Sequence, residues 1–431
     1  MKKTLEQIYS LYLGASSLTT DTRKIEPGSI FLALKGENFN GNAFAAEALA
    51  KGARYAIIDD PELDTNDQML LVEDTLVTLQ QLANFHREHL KIPVIGITGT
   101  NGKTTTKELI HAVLSRKYTT IATAGNFNNH IGVPLTLLSI KPDTEIAIIE
   151  MGANHEGEIA RLCQIARPGF GLITNIGKAH LEGFGSFEGV VRAKSELYAF
   201  IRESSGRIFI NSDNELLTRL SGKINAITYG AKAGAYCHGW PGETQTYARV
   251  QWDSPDGLNE LKTKLVGGYN FENIMAAICV GQYFGVSIKE ISDAVCAYQP
   301  ANNRSQTMDT AHNHLIMDAY NANPTSMKAA ILNFRQVKSL AKMAIIGDMF
   351  ELGDESPKEH AEIVRLLDES DFENVILVGP RFGSLTIPGH FMAFDSPSEV
   401  RSWLKENPVK GRTILVKGSR GIHLEELVDS L

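Results

Sequence analysis

The chain has 431 residues, with 42 lysine and arginine residues against 50 aspartate and glutamate residues, a formal net charge of −8, and four scattered cysteines. The length predicts roughly two to four domains, and an acidic balance without long charged runs gives no reason to expect a nucleic-acid or anionic-membrane partner. Glu6 and Gln7 interrupt the apolar stretch that a signal peptide would need, no apolar run approaches the roughly 20 residues of a membrane span, and the cysteine spacing fits a reducing cytoplasm.

The first predicted domain spans residues 1–90 and has an α/β pattern. Apolar periodicity and bounding turns predict a strand at 29–34, a helix at 43–51, a strand at 55–59 and an amphipathic helix at 76–90. A polar triplet precedes them, consisting of Asp21, Thr22 and Arg23. Such a triplet suits a ligand phosphate or hydroxyl, but taken alone it more often forms a capped turn.

The second predicted domain spans residues 91–304 and opens with an apolar strand at 93–98. A glycine turn and a helix start follow, here called the phosphate loop: Gly99, Thr100, Asn101, Gly102, Lys103, Thr104 and Thr105. Strand, glycine turn and helix in this order are typical of a site where backbone N–H groups and the lysine bind phosphates, with the Thr104 hydroxyl as the expected Mg²⁺ ligand. The spacing departs from the common P-loop pattern, whose first glycine would fall at Ile97.

Further strands are predicted in this domain at 145–150, 171–176 and 207–211, with helical patterns between them. That alternation indicates a mostly parallel sheet with helices on both faces, whose ligands gather beyond the carboxyl ends of the strands. Between residues 229 and 265 the pattern changes to the alternation of antiparallel strands, which we expect at the sheet edge.

The third predicted domain spans residues 305–431 and repeats the alternation, with strands at 343–348, 375–379 and 413–419. This resembles a dinucleotide-type, Rossmann-like sheet. No G-x-G-x-x-G sequence follows a strand, so the pattern does not support a redox cofactor.

Three single residues in the second domain have side chains suited to metal binding or catalysis. Glu150 ends a predicted strand, where a carboxylate is suited to bind Mg²⁺, although a lone acid is more often a solvated turn residue. His180 follows the next strand and suits a metal or a phosphate, although a lone histidine more often packs or lies on the surface. Lys194 lies on a predicted helix beside an acidic residue, a pattern that normally indicates a solvated face.

An asparagine cluster also follows a strand and suits a sugar or peptide ligand, or an ordinary turn: Asn126, Asn128 and Asn129. Asn273 opens a helix and is suited either to contact a ligand or to cap that helix. Near the predicted boundary between the second and third domains, Arg304 suits a nucleotide phosphate and Asp318 suits a ribose hydroxyl. An interdomain salt bridge is the alternative for both.

Taken together, these motifs resemble the Mur ligases, the ATP-dependent enzymes that build the peptide stem of bacterial peptidoglycan. The motifs that carry the resemblance extend over essentially the whole chain, at 98–104, 150–159, 175–186, 193–196, 270–273 and Arg304. The phosphate loop of that family has the spacing found here. The resemblance implies three domains: an N-terminal α/β domain that binds UDP substrate, a central P-loop-type ATPase domain, and a C-terminal Rossmann-like domain that binds the incoming dipeptide.

Within the family, the chain is similar to the branch that adds D-alanyl-D-alanine. The segments that carry this similarity are 125–134, 318–326, 347–353 and 417–420. The branch that adds a diamino acid is expected to have Asp-Asn-Pro-Arg in its last domain, a tetrapeptide that this sequence lacks. Tyr269 stands where the family commonly has histidine, and this departure affects a detail of the nucleotide contact.

The resemblance implies a role for each matching residue. Four residues are implied in catalysis: Lys103, Glu150, His180 and Lys194. Two Mg²⁺ ions are expected, with the ligands Thr104, Glu150, His180 and Lys194, the last carboxylated on its amine (N6-carboxylysine). ATP contacts are implied for the phosphate loop, Asn273, Arg304 and Asp318. Substrate contacts are implied for Asp21, Thr22, Arg23, Asn126, Asn128, Asn129, Asp348, Lys417, Ser419 and Arg420.

The implied reaction joins D-alanyl-D-alanine to UDP-N-acetylmuramoyl-tripeptide through an acyl phosphate, with ATP and Mg²⁺, in a cytoplasmic enzyme that we expect to be monomeric. Another amide ligase of the superfamily, such as a folylpolyglutamate synthase or a diamino-acid-adding enzyme, is the neighbouring alternative. A P-loop ATPase that couples hydrolysis to conformational change is a further one. A catalytically silent binding module is the last, and the intact set of implied catalytic residues argues against it.

Overall fold

The computed structural model describes residues 2–243, 246–300, 304–339 and 341–431. These residues form three main sheets in chain order, with helices on their faces. Within these ranges, no helix combines the length and the apolar character needed to cross a membrane. Short 3-10 helices lie between the main elements, at Thr22–Lys24, Gly41–Phe44, Pro61–Leu63, Gly268–Asn270, Gly353–Glu355, Arg420–Ile422 and Leu424–Ser430.

The N-terminal sheet has four parallel strands in the order β1-β2-β5-β6, and β3 and β4 form a separate small hairpin. The elements are α1 (Leu5–Leu13), β1 (Leu18–Thr19), β2 (Ile30–Leu32), β3 (Lys35–Gly36), β4 (Phe39–Asn40), α2 (Ala45–Ala50), β5 (Tyr55–Ile58), β6 (Met69–Leu71) and α3 (Thr75–His89). Both predicted strands are present in shorter form. The Asp74 side chain caps α3 by accepting a hydrogen bond from the Val77 N–H at 2.8 Å.

The central sheet has nine strands in the order β15-β14-β13-β12-β11-β10-β7-β9-β8. The elements are β7 (Val94–Thr98), α4 (Lys103–Leu114), β8 (Thr120–Ala122), α5 (Gly132–Leu138), β9 (Ile146–Glu150), α6 (Glu158–Ala166), β10 (Phe170–Ile173), α7 (Leu181–Phe184), α8 (Phe187–Glu203), β11 (Arg207–Asn211), α9 (Glu215–Ser221), β12 (Asn225–Gly230), β13 (Cys237–Pro241), β14 (Tyr247–Ser254), β15 (Gly257–Val266), α10 (Phe271–Tyr283) and α11 (Ile288–Ala297). The expected antiparallel edge is present, because β13, β14 and β15 pair antiparallel whereas the other pairs are parallel.

The strand order brings the candidate site residues of the central domain together. β7 lies between β9 and β10, so the three carboxyl ends that carry the phosphate loop, Glu150 and the segment at 174–180 are neighbours at one sheet edge. The strand order reverses at this point, which is where open α/β sheets bind their ligands.

The C-terminal sheet has six strands in the order β16-β17-β21-β18-β19-β20, and only the β16 to β17 pairing is antiparallel. The elements are β16 (Gln306–Asp309), β17 (His314–Asp318), α12 (Pro324–Gln336), β18 (Lys342–Gly347), α13 (Ser356–Asp368), β19 (Asn374–Val378), α14 (Pro380–Gly383), β20 (Met392–Phe394), α15 (Pro397–Glu406) and β21 (Thr413–Lys417). The three strands predicted here from apolar runs are all present.

Helix α3 joins the first sheet to the second. Its buried residues Leu79, Leu82 and Ala83 belong to the same hydrophobic core as central residues such as Val133 and Leu162. The domain boundaries at 90 and 304 stay predictions, and the first of them does not interrupt the packing.

Candidate active site

A cleft of about 1000 Å³ lies where the three sheets meet, and we call it the central cleft. Its walls come from the start of α3, the phosphate loop, the asparagine segment at 126–130, the turn and helix start at 268–273, and the C-terminal segment at 318–329. Lys417 also lines it. The cleft therefore brings together parts of all three predicted domains.

The phosphate loop has the backbone that its glycines allow. Gly99 and Gly102 have φ values of +141° and +77°, in the range that L side chains rarely adopt. The Lys103 ammonium group donates to the carbonyls of Gly99 at 2.6 Å and Thr100 at 3.1 Å. Burial lowers the pKa of Lys103 to about 8. An anion in the loop would favour the charged form of this amine.

Two residues that follow β10 form hydrogen bonds with the phosphate loop. The Asn175 side chain accepts the Asn101 N–H at 3.0 Å and donates to its carbonyl at 3.1 Å. The Thr174 hydroxyl donates to the same carbonyl at 2.6 Å. These contacts fix the loop before any ligand binds. Thr174 was missed as a loop support because sequence spacing does not reveal contacts between neighbouring strands.

Glu150 lies beside the loop and is 1% exposed. Its Oε1 accepts hydrogen bonds from Asn128 Nδ2 at 2.8 Å and from the Thr104 hydroxyl at 3.3 Å. Its Oε2 lies 3.7 Å from Lys107 Nζ and accepts no hydrogen bond from the described residues. The reading of Glu150 as a solvated turn acid is therefore wrong. The carboxylate keeps one buried oxygen for a cation.

Lys194 is 2% exposed, so the reading of a solvated helix face is also wrong. The face of α8 that carries it packs against α6 and β10. Nζ donates to the Ala153 carbonyl at 3.3 Å and lies 5.3 Å from the centre of the Phe184 ring. Burial, with a contribution from the charge of Lys103, lowers the pKa of Lys194 to about 7. A large part of this amine is therefore neutral near neutral pH.

His180 makes a contact that crosses to the C-terminal sheet. Its Nδ1 lies 2.5 Å from Oε2 of Glu351, and this contact lowers the pKa of Glu351. The Glu182 N–H donates to the Glu351 carbonyl at 3.3 Å. Glu351 was not predicted as a site residue, although it lies in the segment at 347–353 that the resemblance had marked.

Asn273 bonds to the helix that starts in the phosphate loop. It accepts from the Thr106 hydroxyl at 3.0 Å and donates to Oδ1 of Asn270 at 2.8 Å. A Cβ atom at Gly102 would lie 2.4 Å from Oδ1 of Asn273. Asn273 therefore fits against the loop because Gly102 has no side chain, and its own side chain does not cap α10.

Arg304 and Asp318 lie together in the cleft wall. The Arg304 guanidinium carbon lies 3.6 Å from the centre of the Tyr320 ring, and Nε has no hydrogen-bond partner among the described residues. Asp318 pairs with the buried Lys417 at 2.6 Å. That pair lies within the C-terminal sheet, so the described contacts of Asp318 do not form the interdomain salt bridge that was the alternative.

The remaining predicted substrate residues differ in location. Asn126, Asn128 and Asn129 line the cleft, whereas Asp21, Thr22, Arg23, Ser419 and Arg420 do not. Asp21 caps the short helix at Thr22–Lys24 and binds the exposed Arg23 side chain at 2.8 Å and 2.9 Å, which is the capped turn named as the alternative. The roles of these residues in substrate binding stay predictions.

The geometry does not support a direct substrate contact of Asp348. Its carboxylate accepts the N–H groups of Arg381 at 2.9 Å and Phe382 at 3.0 Å, and the side chain is fully buried. It thereby stabilises the start of α14, where backbone N–H groups otherwise lack partners. The likeness of a short motif did not reveal that both oxygens have structural partners.

Family models match almost the whole chain in three segments: the Mur ligase catalytic domain at residues 15–97, the Mur ligase middle domain at 97–281, and the Mur ligase glutamate ligase domain at 303–420. A Bacillus subtilis protein named UDP-N-acetylmuramoyl-tripeptide--D-alanyl-D-alanine ligase is 37% identical over 96% of this chain and 92% of its own length. The chain belongs to the Mur ligase family.

Solved structures of Mur ligases share the architecture. MurF from Acinetobacter baumannii has a TM-score of 0.87 and 32% identity, over 100% of this chain and 99% of that one. MurF from Thermotoga maritima, solved in complex with ADP, has a TM-score of 0.86 and 27% identity, over 97% of each chain. The predicted α/β architecture with three domains is confirmed, and this Mur ligase is an ATP-dependent ligase.

Proposed function

We propose that this Mur ligase joins D-alanyl-D-alanine to UDP-N-acetylmuramoyl-tripeptide and converts ATP to ADP and phosphate. The observation that carries this proposal is the match to the Bacillus subtilis ligase of that name along almost the whole chain, C-terminal segment included. The product would be the pentapeptide precursor of peptidoglycan, so the enzyme would contribute to cell-wall formation and thereby to cell shape and division.

Lys103 and the N-terminus of α4 would bind the phosphates of ATP. Backbone N–H groups at the start of a helix favour an anion. Burial lowers the pKa of Lys103, and a bound anion would in turn favour the charged form of its amine. In the proposed reaction the tripeptide carboxylate takes the γ-phosphoryl group and becomes an acyl phosphate. The free amine of the dipeptide then displaces phosphate. Lys103 would stabilise the charge on the transferring oxygens.

The residues beside the loop fit a magnesium ion. Glu150 offers a buried Oε2 without a hydrogen-bond donor among the described residues, and the Thr104 hydroxyl donates a hydrogen bond to Oε1 of the same carboxylate. Oxygen ligands of this type are those that Mg²⁺ prefers, with nucleotide phosphates and water as the others. Bound there, Mg²⁺ would supply electrostatic stabilisation of phosphate charge. We further propose His180 and carboxylated Lys194 as ligands of a second ion.

The environment of Lys194 supports carboxylation. An amine with a pKa of about 7 is about half unprotonated at neutral pH, and only the unprotonated amine adds to carbon dioxide. The new bond joins Nζ to the carbon of CO₂, one proton leaves the nitrogen, and the product is an anionic carbamate. A buried cation would thus become an anionic oxygen ligand.

The C-terminal sheet is positioned to restrict water from the site. Lys178 pairs with the buried Glu359 at 2.7 Å, and His180 pairs with Glu351, so two contacts cross between the central and C-terminal sheets. Such contacts would exclude water from an acyl phosphate while the amine attacks. We also expect a cytoplasmic location, since all four cysteines are free thiols.

The test supplies purified protein with ATP and Mg²⁺, and either UDP-N-acetylmuramoyl-tripeptide with D-alanyl-D-alanine or the UDP-linked precursor that still lacks its third residue with a free diamino acid. We expect UDP-pentapeptide and phosphate only with the dipeptide. Product with the diamino acid alone would assign the chain to the other branch. ATP turnover without any acceptor amine would instead favour an ATPase. Tripeptides containing either diaminopimelate or lysine would identify the third residue.

A further inference from the structure

The turn between β15 and α10 is where the central sheet contacts the C-terminal sheet. Val266, at the end of β15, packs in the C-terminal hydrophobic core. The N–H of Gly268 donates to Oδ1 of Asn333 on α12 at 3.3 Å. The Tyr269 hydroxyl lies 2.8 Å from the hydroxyl of Ser305. Three successive contacts therefore connect this turn to the predicted C-terminal domain.

Ser305 has an unusual backbone for its residue type. Its φ is +47°, a conformation that residues with a Cβ atom rarely adopt. Its side chain is 8% exposed, and the Tyr269 hydroxyl is its hydrogen-bond partner across the joint. In this conformation the Ser305 N–H donates to Oδ1 of Asp318 at 3.3 Å. A contact from outside the C-terminal sheet is therefore made to a residue with an unfavourable backbone conformation.

The neighbours of Ser305 are the polar groups of the cleft wall. Arg304 precedes it directly and stacks on Tyr320, and Asp318 accepts its N–H. Nε of Arg304 is buried without a hydrogen-bond partner among the described residues, as expected for a group that awaits a ligand. Both side chains therefore lie next to the backbone of Ser305.

The chain makes room for the tyrosine ring. Gly267 has a φ of +92°, and a Cβ atom at that position would lie 2.3 Å from Cε1 of Tyr269. Burial and the charge of Asp318 raise the pKa of Tyr269, so its hydroxyl keeps the proton. The ring is thus held so that its hydroxyl reaches Ser305.

We propose that Tyr269 is a positioning residue of the nucleotide site: its hydroxyl holds Ser305 in the left-handed conformation that directs Arg304 and Asp318 into the central cleft. The inference rests on the proposed ATP site of this ligase. Tyr269 acts through Ser305 and need not touch the nucleotide.

The test compares Tyr269→Phe, Ser305→Ala and the double variant. Calorimetry measures the affinity for a non-hydrolysable ATP analogue, and steady-state kinetics give kcat and the KM values for ATP and for the UDP-linked tripeptide. Loss of one hydrogen bond should weaken analogue affinity roughly two- to tenfold in each single variant. The double variant should be no weaker than either single variant, since both remove the same bond. The KM for the UDP-linked substrate should not change.

Tyr247→Phe is the matched control. Its hydroxyl lies 3.3 Å from the hydroxyl of Thr307 across the same joint, but neither residue lines the cleft. This variant should bind the analogue like the wild type, which would support a specific role for Tyr269.

Three outcomes would overturn the inference: unchanged analogue affinity in Tyr269→Phe, multiplied losses in the double variant, or equal weakening of both substrates with a lowered Tm. A wild-type protein that fails to bind the analogue would overturn the proposed function and this inference with it. Binding by the wild type and equal binding by Tyr269→Phe would overturn this inference alone.

Discussion

The side-chain amide of Asn323 donates a hydrogen bond to Oδ1 of Asn101 over 2.8 Å. Asn323 is the N-cap of α12 in the C-terminal sheet, and Asn101 belongs to the phosphate loop. The phosphate loop is therefore in direct contact with the domain expected to deliver the incoming amine. Asn323 was not predicted as a site residue, although an asparagine before a proline is a familiar start signal of a helix.

Replacing Asn323 with serine should separate this contact from the helix cap. Serine is also a good N-cap, so thermal unfolding should remain near that of the wild type. The contact to Asn101 would be lost, and we expect kcat to fall roughly two- to tenfold. Asn323→Ala should show the same fall in kcat and also lose about 1 kcal/mol of stability with the cap. A wild-type kcat in Asn323→Ser would show that the contact has no role in turnover.

Glu150→Gln should remove the charge at the cation site and keep its hydrogen bonds. The amide oxygen can still accept from Asn128 and Thr104, which now bond to Oε1 of the carboxylate. We expect ligase activity to fall roughly a hundredfold or more, as for loss of a strong electrostatic contact to a transition state. Titration of Mg²⁺ against ATP-analogue binding checks the cause, since the magnesium dependence should weaken in the variant. The same dependence in both proteins would argue against a metal at Glu150.

Lys194→Met should change how stability depends on pH. The pKa of Lys194 is about 7 in the folded chain, below its ordinary value of 10.5. Between these values the unfolded chain binds more protons, so this lysine makes stability rise with pH. Its cost is present in full below pH 7 and is relieved as pH rises.

Urea unfolding in buffers free of carbon dioxide would measure this effect. The free energy of unfolding of the wild type minus that of Lys194→Met should increase from pH 7 to pH 9. A constant difference would mean that Lys194 keeps an ordinary pKa. With bicarbonate present, the variant should lose most of its ligase activity but still bind the UDP-linked substrate, and near-normal turnover would remove the carbamate proposal.

Gly102→Ala should displace Asn273 and weaken ATP binding. The new Cβ atom would lie 2.4 Å from Oδ1 of Asn273, on a backbone with a φ of +77°. Gly157→Ala is the control, because Gly157 has a φ of +87° and a methyl group there meets no described atom within 4 Å. Both variants should lose similar stability from backbone strain. Only Gly102→Ala should lose affinity for the ATP analogue in calorimetry, and equal losses would assign the effect to strain.

Local patterns were sufficient to predict strands in the middle of each main sheet, but not edge strands such as β1, β8 and β16. Apolar runs predicted the strands that became β9, β11, β18, β19 and β21, because a buried parallel strand needs a continuous apolar sequence. The glycine turn before Lys103 indicated phosphate binding, because it lies between a strand and the start of a helix, where backbone N–H groups favour an anion. The start of the helix predicted at 43–51 was less accurate, because residues 41–44 form a 3-10 turn that periodicity does not distinguish from an α-helix.

The properties that come from tertiary packing were not predictable. Nothing in the sequence around Lys194 distinguishes a solvated lysine from one that is 2% exposed, because burial depends on which helix face meets the sheet. Asp348 shares a motif with its family, but the two N–H groups that its oxygens accept come from a helix more than thirty residues later. The contact of His180 with Glu351 depends on how two domains meet.

The core that helix α3 shares with the central sheet has a consequence for how the chain unfolds. The N-terminal and central sheets are connected through one continuous set of buried side chains, whereas the cores of the C-terminal sheet contain its own residues together with Val266 of β15. We therefore expect two cooperative units in unfolding: the N-terminal sheet together with the central sheet, and the C-terminal sheet. Heating should melt the first two sheets in one transition, since unfolding of either sheet would expose the buried side chains that they share.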